Sequence, residues 1–129
     1  MTFSFNDAWL AQAIHYSVDG EGIASLRSVI AYADYSNHAV MTYEECCTGL
    51  QRLTHAGLIT ILDQRIHAKA LSEWWTGRLS NIKDDGTYKA FPVIKSCLME
   101  DFSHLDNNMT DCSITADAFQ QAVSDYLGR

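Results

Sequence analysis

The chain has 129 residues, 47% of them apolar and 19% charged, a balance that supports a buried core and excludes a disordered segment. Nine basic against sixteen acidic residues give a net charge of -7 and a pI near 5.0, so the field of the whole chain repels nucleic acid and anionic lipid. The first residues, Met1-Thr2-Phe3-Ser4-Phe5, lack the basic-then-apolar order of a secretory leader, and no apolar run approaches the length of a membrane span. A cytoplasmic protein that makes no membrane contact is expected.

A length of this order suits one domain over 1–129, large enough to fold without staples or metals. Cys46, Cys47, Cys97 and Cys112 are therefore read as free thiols in a reducing compartment. The first helix runs from about Asn6 to Val18, where Leu10, Ile14 and Val18 recur every four residues beside Ala13 and make one face apolar. Asn6 is the expected N-cap, with Phe5 stapled onto Leu10. Asp19-Gly20-Glu21-Gly22 ends it. In the second helix Leu26, Val29, Ile30 and Ala33 share a face, with Ser25 near its start, and the pattern fades by Asn37.

The third helix has the firmest start. Thr42-Tyr43-Glu44-Glu45 is a capping box, in which the Thr42 hydroxyl accepts from the Glu45 amide while Glu45 reaches back. Cys46, Leu50 and Leu53 form its inner stripe and Gly57 ends it. Leu58-Ile59-Thr60-Ile61-Leu62 is then short and β-branched, Asp63-Gln64 makes a turn, and Arg65 to Ala70 alternates polar with apolar, which predicts a β-hairpin. The remainder reads helical. Trp75, Leu79 and Ile82 share a face after a Ser72 cap, and Asp84-Asp85-Gly86 breaks the run. Phe91, Ile94, Leu98, Phe102 and Leu105 hold one stripe, with Pro92 tolerated in the first turn. After a polar connector over 106–112, a last helix from about Thr115 to Leu127 presents Phe119, Ala122, Val123, Tyr126 and Leu127, with Ile114 placed to staple onto Phe119.

Thr42, Glu45, Leu50, Leu53, Gly57, Leu58 and Ile59, in the run TYEECCTGLQRLTHAGLI, carry a resemblance to winged-helix domains over about residues 6–71. The fold expected from it is mostly α with a small β-hairpin: a winged-helix-like three-helix core plus wing, with residues 72–129 as a helical C-terminal extension. The resemblance implies a helix-turn-helix whose third helix could lie in a DNA major groove. Placing Leu50 inward turns Glu44, Glu45, Thr48, Gln51, Arg52 and His55 outward, and Thr48, Gln51 and Arg52 are chemically competent to read bases. On the wing Arg65, His67 and Lys69 alternate and would share one strand face, available to phosphates.

Local charge opposes that reading. Glu44 and Glu45 stand in the first turn of the helix, where a recognition helix meets DNA, and phosphates would repel them. Residues 42–70 hold three basic and three acidic side chains, against one and four in 1–41 and one and five in 101–129. The acidity therefore lies outside the helix–wing segment and disfavours DNA without excluding it.

Enzyme and metal chemistry find less support. Cys46 lies on a buried stripe, Cys47 is flanked by Glu44 and Glu45, and Cys97 is near the Phe91–Leu105 stripe, whereas a nucleophilic thiol needs electropositive surroundings. Neither CxxC nor HxxxH spacing appears, nor a glycine-rich phosphate loop. No cofactor, no metal and no catalysis are expected. Trp74 and Trp75 are adjacent and so point about 100° apart on a helix. If Trp75 faces inward, Trp74 lies at the boundary beside Arg78 as a candidate interface for a protein partner or a second copy in a homodimer. A non-catalytic protein-interaction module is the favoured reading, and a DNA-binding transcriptional regulator using helix 43–56 and the wing is the alternative.

Overall fold

A computed structural model describes residues 1–81 and 85–129. Ile82 and Asp84, expected in a helical stripe and at its break, lie outside the described residues. The described chain is mostly helical with a small antiparallel sheet, in the order α1 (Phe5–Ser17), β1 (Ile23–Ala24), α2 (Leu26–Asn37), α3 (Tyr43–His55), β2 (Thr60–Leu62), β3 (Arg65–His67), α4 (Lys69–Leu79), a 3-10 turn at Tyr88–Ala90, α5 (Phe91–Phe102) and α6 (Ala116–Leu127).

Helix α1 is the centre of the core. Its N-cap is Ser4 rather than the expected Asn6. The Ser4 hydroxyl accepts from the Asp7 amide at 3.3 Å, and the Asp7 carboxylate accepts from the Ser4 amide at 2.7 Å. Aspartate at the third helical position thus completes a capping box two residues earlier than the asparagine suggests. Phe3 is buried, whereas Phe5, expected as the staple, is 53% exposed. Every residue from Asp7 to Ile14 is buried, so α1 is enclosed on all sides by α2, α3, α4 and α5 instead of presenting one apolar face.

Three strands form the sheet, in the order β1-β3-β2. Ile23 faces His67 and Ala24 faces Ile66, while Thr60, Ile61 and Leu62 face His67, Ile66 and Arg65. Between β2 and β3, Asp63 and Gln64 both adopt positive φ, 52° and 59°, the two-residue turn whose twist suits a hairpin. Gly57 ends α3 at φ +76° with nothing close to the position of a Cβ. The Leu58 amide donates to the Leu53 carbonyl and the Gly57 amide to that of Thr54, each at 3.0 Å, so backbone conformation, not space, selects glycine here.

The second wing strand is shorter than its alternation suggests. It ends at His67, and Lys69 opens α4. That helix has no side-chain cap. One of its first amides finds a tertiary partner instead: the Leu71 amide donates at 2.9 Å to the carbonyl of Leu58, between α3 and β2. Ser72, expected as the cap, lies inside the first turn. The C-terminal segment joins the same buried cluster, in which Phe91, Ile94, Leu98 and Phe119 accompany Leu10, Ile14, Leu50 and Leu53. Helix α5 stops at Phe102, leaving Leu105 in a turn beyond it. In α6 Phe119 and Ala122 are buried, whereas Leu127 is exposed.

Candidate functional site

The outer side of α3 is flanked from both directions. On the α1 side, Arg52 Nη1 bonds Asp7 Oδ2 at 2.9 Å, and the Asp7 side chain is wholly buried. The cap at the start of α1 and the guanidinium of α3 therefore share one carboxylate. Asp7 Oδ1 is buried without a hydrogen-bond partner and lies against Gly49, 3.3 Å from where a Cβ would stand. Thr48 and Arg52 line a polar hollow with Ser4, Asn6, Thr42, Glu44 and Glu45, so carboxylates surround the one arginine of the helix.

On the other side runs the segment 103–115 between α5 and α6. His55 Nε2 lies 3.2 Å from Asp106 Oδ1. The Tyr43 hydroxyl donates to the Ile114 carbonyl at 2.7 Å. Gln64, at the hairpin turn, donates to the Ser113 carbonyl and accepts from the Thr115 amide, both at 3.0 Å. Gln51 and Thr54 face Thr110 to Ser113 across a small cleft that Thr60 and Ile61 complete. The connector is thus a strap bonded to both α3 and the wing.

Five of the six candidate nucleic-acid contacts line four different hollows. Thr48 and Arg52 open toward α1, and Gln51 toward the strap. Arg65 is exposed and shares a hollow with Ser17, Asp19 and Ser25. The Asp19 carboxyl is held below its ordinary range, chiefly by the Ile23 and Glu21 amides, with Arg65 and His67 adding their charge. His67 is half-buried. Lys69, placed on the strand face by the alternation, sits instead at the start of α4 beside Ser72, Glu73 and Thr76.

Trp74 and Arg78, the candidate partner interface, are both engaged within the chain. The Trp74 indole donates to Asp101 Oδ2 at 2.7 Å, Arg78 Nε to the same oxygen at 2.8 Å, and Arg78 Nη2 to Glu100 at 2.6 Å. The Trp74 ring rests on Phe102 at 5.9 Å. Burial pushes the Asp101 carboxyl up, and the hydrogen bonds from Arg78 and Trp74 outweigh it, so the group ends below its ordinary range. The pair clamps α4 to α5.

A surface without a clear signature in the sequence lies on α1 and α2. Trp75 is buried, and the His15 ring stacks on it at 4.5 Å and 11°. Tyr16 meets both rings edge-on and stacks on Tyr32 at 5.3 Å, which in turn meets Tyr35 at 5.5 Å. The series leads outward: Tyr16 is 41% and Tyr35 is 62% exposed. Its one sequence signal is Tyr32 and Tyr35 three apart on a helix, and their stacking on Tyr16 depends on how α1 crosses α2.

The two buried thiols offer little nucleophilic power. Cys46 is buried, and desolvation drives its thiol far above the ordinary range. Burial also raises Cys97. Among the described residues, no group of three or more His, Cys, Asp or Glu could hold a metal ion, and no helix is long and apolar enough to cross a membrane. No protein-family model, curated protein or solved structure matches the chain.

Proposed function

We propose that this chain is a non-catalytic, winged-helix-type protein-interaction module whose docking face is the tyrosine surface of α1 and α2. The order helix, strand, helix, helix, strand, strand over 5–67 and the β1-β3-β2 sheet support the winged-helix reading. One observation carries the functional one. Tyr16 and Tyr35 are exposed at the end of a continuous aromatic stack, while Arg52 of α3 is engaged by Asp7. Rigid aromatic rings give large contact area at low entropic cost and are enriched where proteins meet. The partner is a second copy of the chain or another protein.

Light scattering across a concentration series, run beside a low-salt mobility-shift assay on mixed DNA fragments, tests this. Expected are self-association that weakens in the Tyr16→Ala/Tyr35→Ala double variant and no retarded DNA. The DNA-binding alternative rests on exposed Arg65 at the wing. Retarded DNA whose affinity falls steeply with salt and with Arg65→Ala would establish that reading in place of the first.

A further inference from the structure

We propose that Cys47 of α3 and Cys112 of the strap are a paired oxidation site, which a peroxide converts to a disulfide that ties the 103–115 segment to α3. The Cys112 thiol, 3.9 Å from the Ile114 carbonyl, has the Cys47 thiol as a neighbour, although 64 residues separate them in the chain. Independent contacts fix the same neighbourhood. The Tyr43 hydroxyl and the Cys112 thiol both point at the Ile114 carbonyl, at 2.7 and 3.9 Å. Cys47 follows Tyr43 by four residues on the helix, which puts the two side chains on one face, and its thiol touches the Tyr43 hydroxyl. The strap is itself pinned by Gln64 and by His55–Asp106, so Cys112 is held in place rather than arriving by chance.

Access distinguishes this pair from the other thiols. Cys47 and Cys112 are half-buried, whereas Cys46 and Cys97 are buried. The four are free thiols, so this is the reduced form of the site. Burial, and then the adjacent Cys47, push the Cys112 thiol up to about 12. Cys112 is therefore the poorer first nucleophile, and Cys47 reacts first. Its thiolate attacks one oxygen of hydrogen peroxide, the O–O bond breaks, and hydroxide leaves as water, giving a sulfenic acid. The Cys112 sulfur then attacks the Cys47 sulfur, the S–O bond breaks, and the hydroxyl departs with the Cys112 proton as a second water. Two thiols are oxidised by two electrons and one peroxide is reduced.

The site is independent of the tyrosine face and is tested separately. The full chain is treated with hydrogen peroxide, blocked with a maleimide, digested without reductant and mapped by mass spectrometry. The expected product is a Cys47–Cys112 cross-linked peptide about 2 Da lighter than the sum of its reduced halves. It persists in Cys46→Ser, disappears in Cys47→Ser and in Cys112→Ser, and is reversed by a dithiol reductant. Amide exchange over 106–113 slows on oxidation, since the strap can no longer lift from α3. A bridge from Cys46, disulfides only between chains, over-oxidation to sulfinic acid without a bridge, or unchanged exchange in the bridged protein would each overturn the proposal. The wild-type map stands without any variant, and Cys47→Ala and Cys112→Ala replace the serines if those fail to fold.

Discussion

Two aspartate–arginine joints brace this molecule at nearly the same distance and in opposite surroundings. Asp7–Arg52 joins α1 to α3 at 2.9 Å with the aspartate wholly buried; Asp101–Arg78 joins α4 to α5 at 2.8 Å with both side chains about one-third exposed. Coulomb attraction at equal range is worth far more where water is excluded, but so is the penalty for stranding one partner. The contrast also shows what freeing Arg52 from its partner would cost. Releasing it to solvent would leave the buried Asp7 carboxylate with the Ser4 amide but without its counter-charge.

The largest expected effect follows from that asymmetry. Arg52→Ala removes the guanidinium and leaves Asp7 buried and uncompensated, a loss of about 3 kcal/mol by analogy with broken buried pairs, read from urea unfolding midpoints. Adding Asp7→Asn on that background removes the stranded charge, so the double variant should be no less stable than Arg52→Ala alone. Strict additivity of the two losses would show that the joint is not a coupled pair.

Gly49 probes the same joint sterically. A Cβ there would stand 2.6 Å from Leu10 Cδ2, in the fully buried centre of the core. Gly49→Ala gains up to about 1 kcal/mol in helix propensity, yet overpacking of this kind costs about 1–3 kcal/mol. Net destabilisation is expected in thermal unfolding. A stabilised variant would mean that α1 and α3 can separate slightly without loss.

The exposed joint is expected to give a smaller effect with a pH signature. Asp101→Asn should cost less than about 1 kcal/mol, as for other partly exposed pairs. The Asp101 carboxyl is held below its ordinary 3.8 in the folded protein, so the unfolded chain binds that proton more readily. The contribution is complete above about pH 4 and fades as the pH falls through the lowered value. Stability of the wild type and of Asp101→Asn, measured from pH 7 to pH 2, should therefore converge at the acid end. Curves that stay parallel would mean that the Asp101 charge does not help hold α4 to α5.

Legibility in the sequence divides along the same line between local and distant causes. The capping box at Thr42, the turn at Asp63-Gln64 and the glycine after α3 are set by neighbours three or four residues away, and each is readable from spacing alone. Strand β1 has two residues, too few to show any period. Helix α4 starts without a capping side chain, and the Leu58 carbonyl, just before β2, serves its Leu71 amide, so a search for serine or threonine lands on Ser72, too late. Trp74 reads as a boundary residue because its partner, Asp101, is 27 residues further on. The strap over α3 is equally hidden. Its key residue is Gln64, which occupies a left-handed turn position where glycine would fit more easily, and whose side chain there bonds to Ser113 and Thr115. A glutamine that accepts such backbone strain marks a tertiary contact only once the contact is seen.

The smallest expected change in stability is the most direct test of the proposed function. Tyr35 is 62% exposed and meets Tyr32 at 5.5 Å, so Tyr35→Ala removes an edge contact and opens no cavity. Its effect on unfolding should stay within about 0.5 kcal/mol, the range of surface substitutions. Trp74→Ala should do the reverse. It takes a half-buried ring off Phe102 and a donor off Asp101, loosening α4 from α5 while leaving the tyrosine face intact. Light scattering of the two variants, each beside its unfolding curve, therefore separates folding from docking. Association that falls in Tyr35→Ala at unchanged stability places the docking face on α2. Association that falls only in Trp74→Ala, after correction for its unfolded fraction, would return it to the α4–α5 edge.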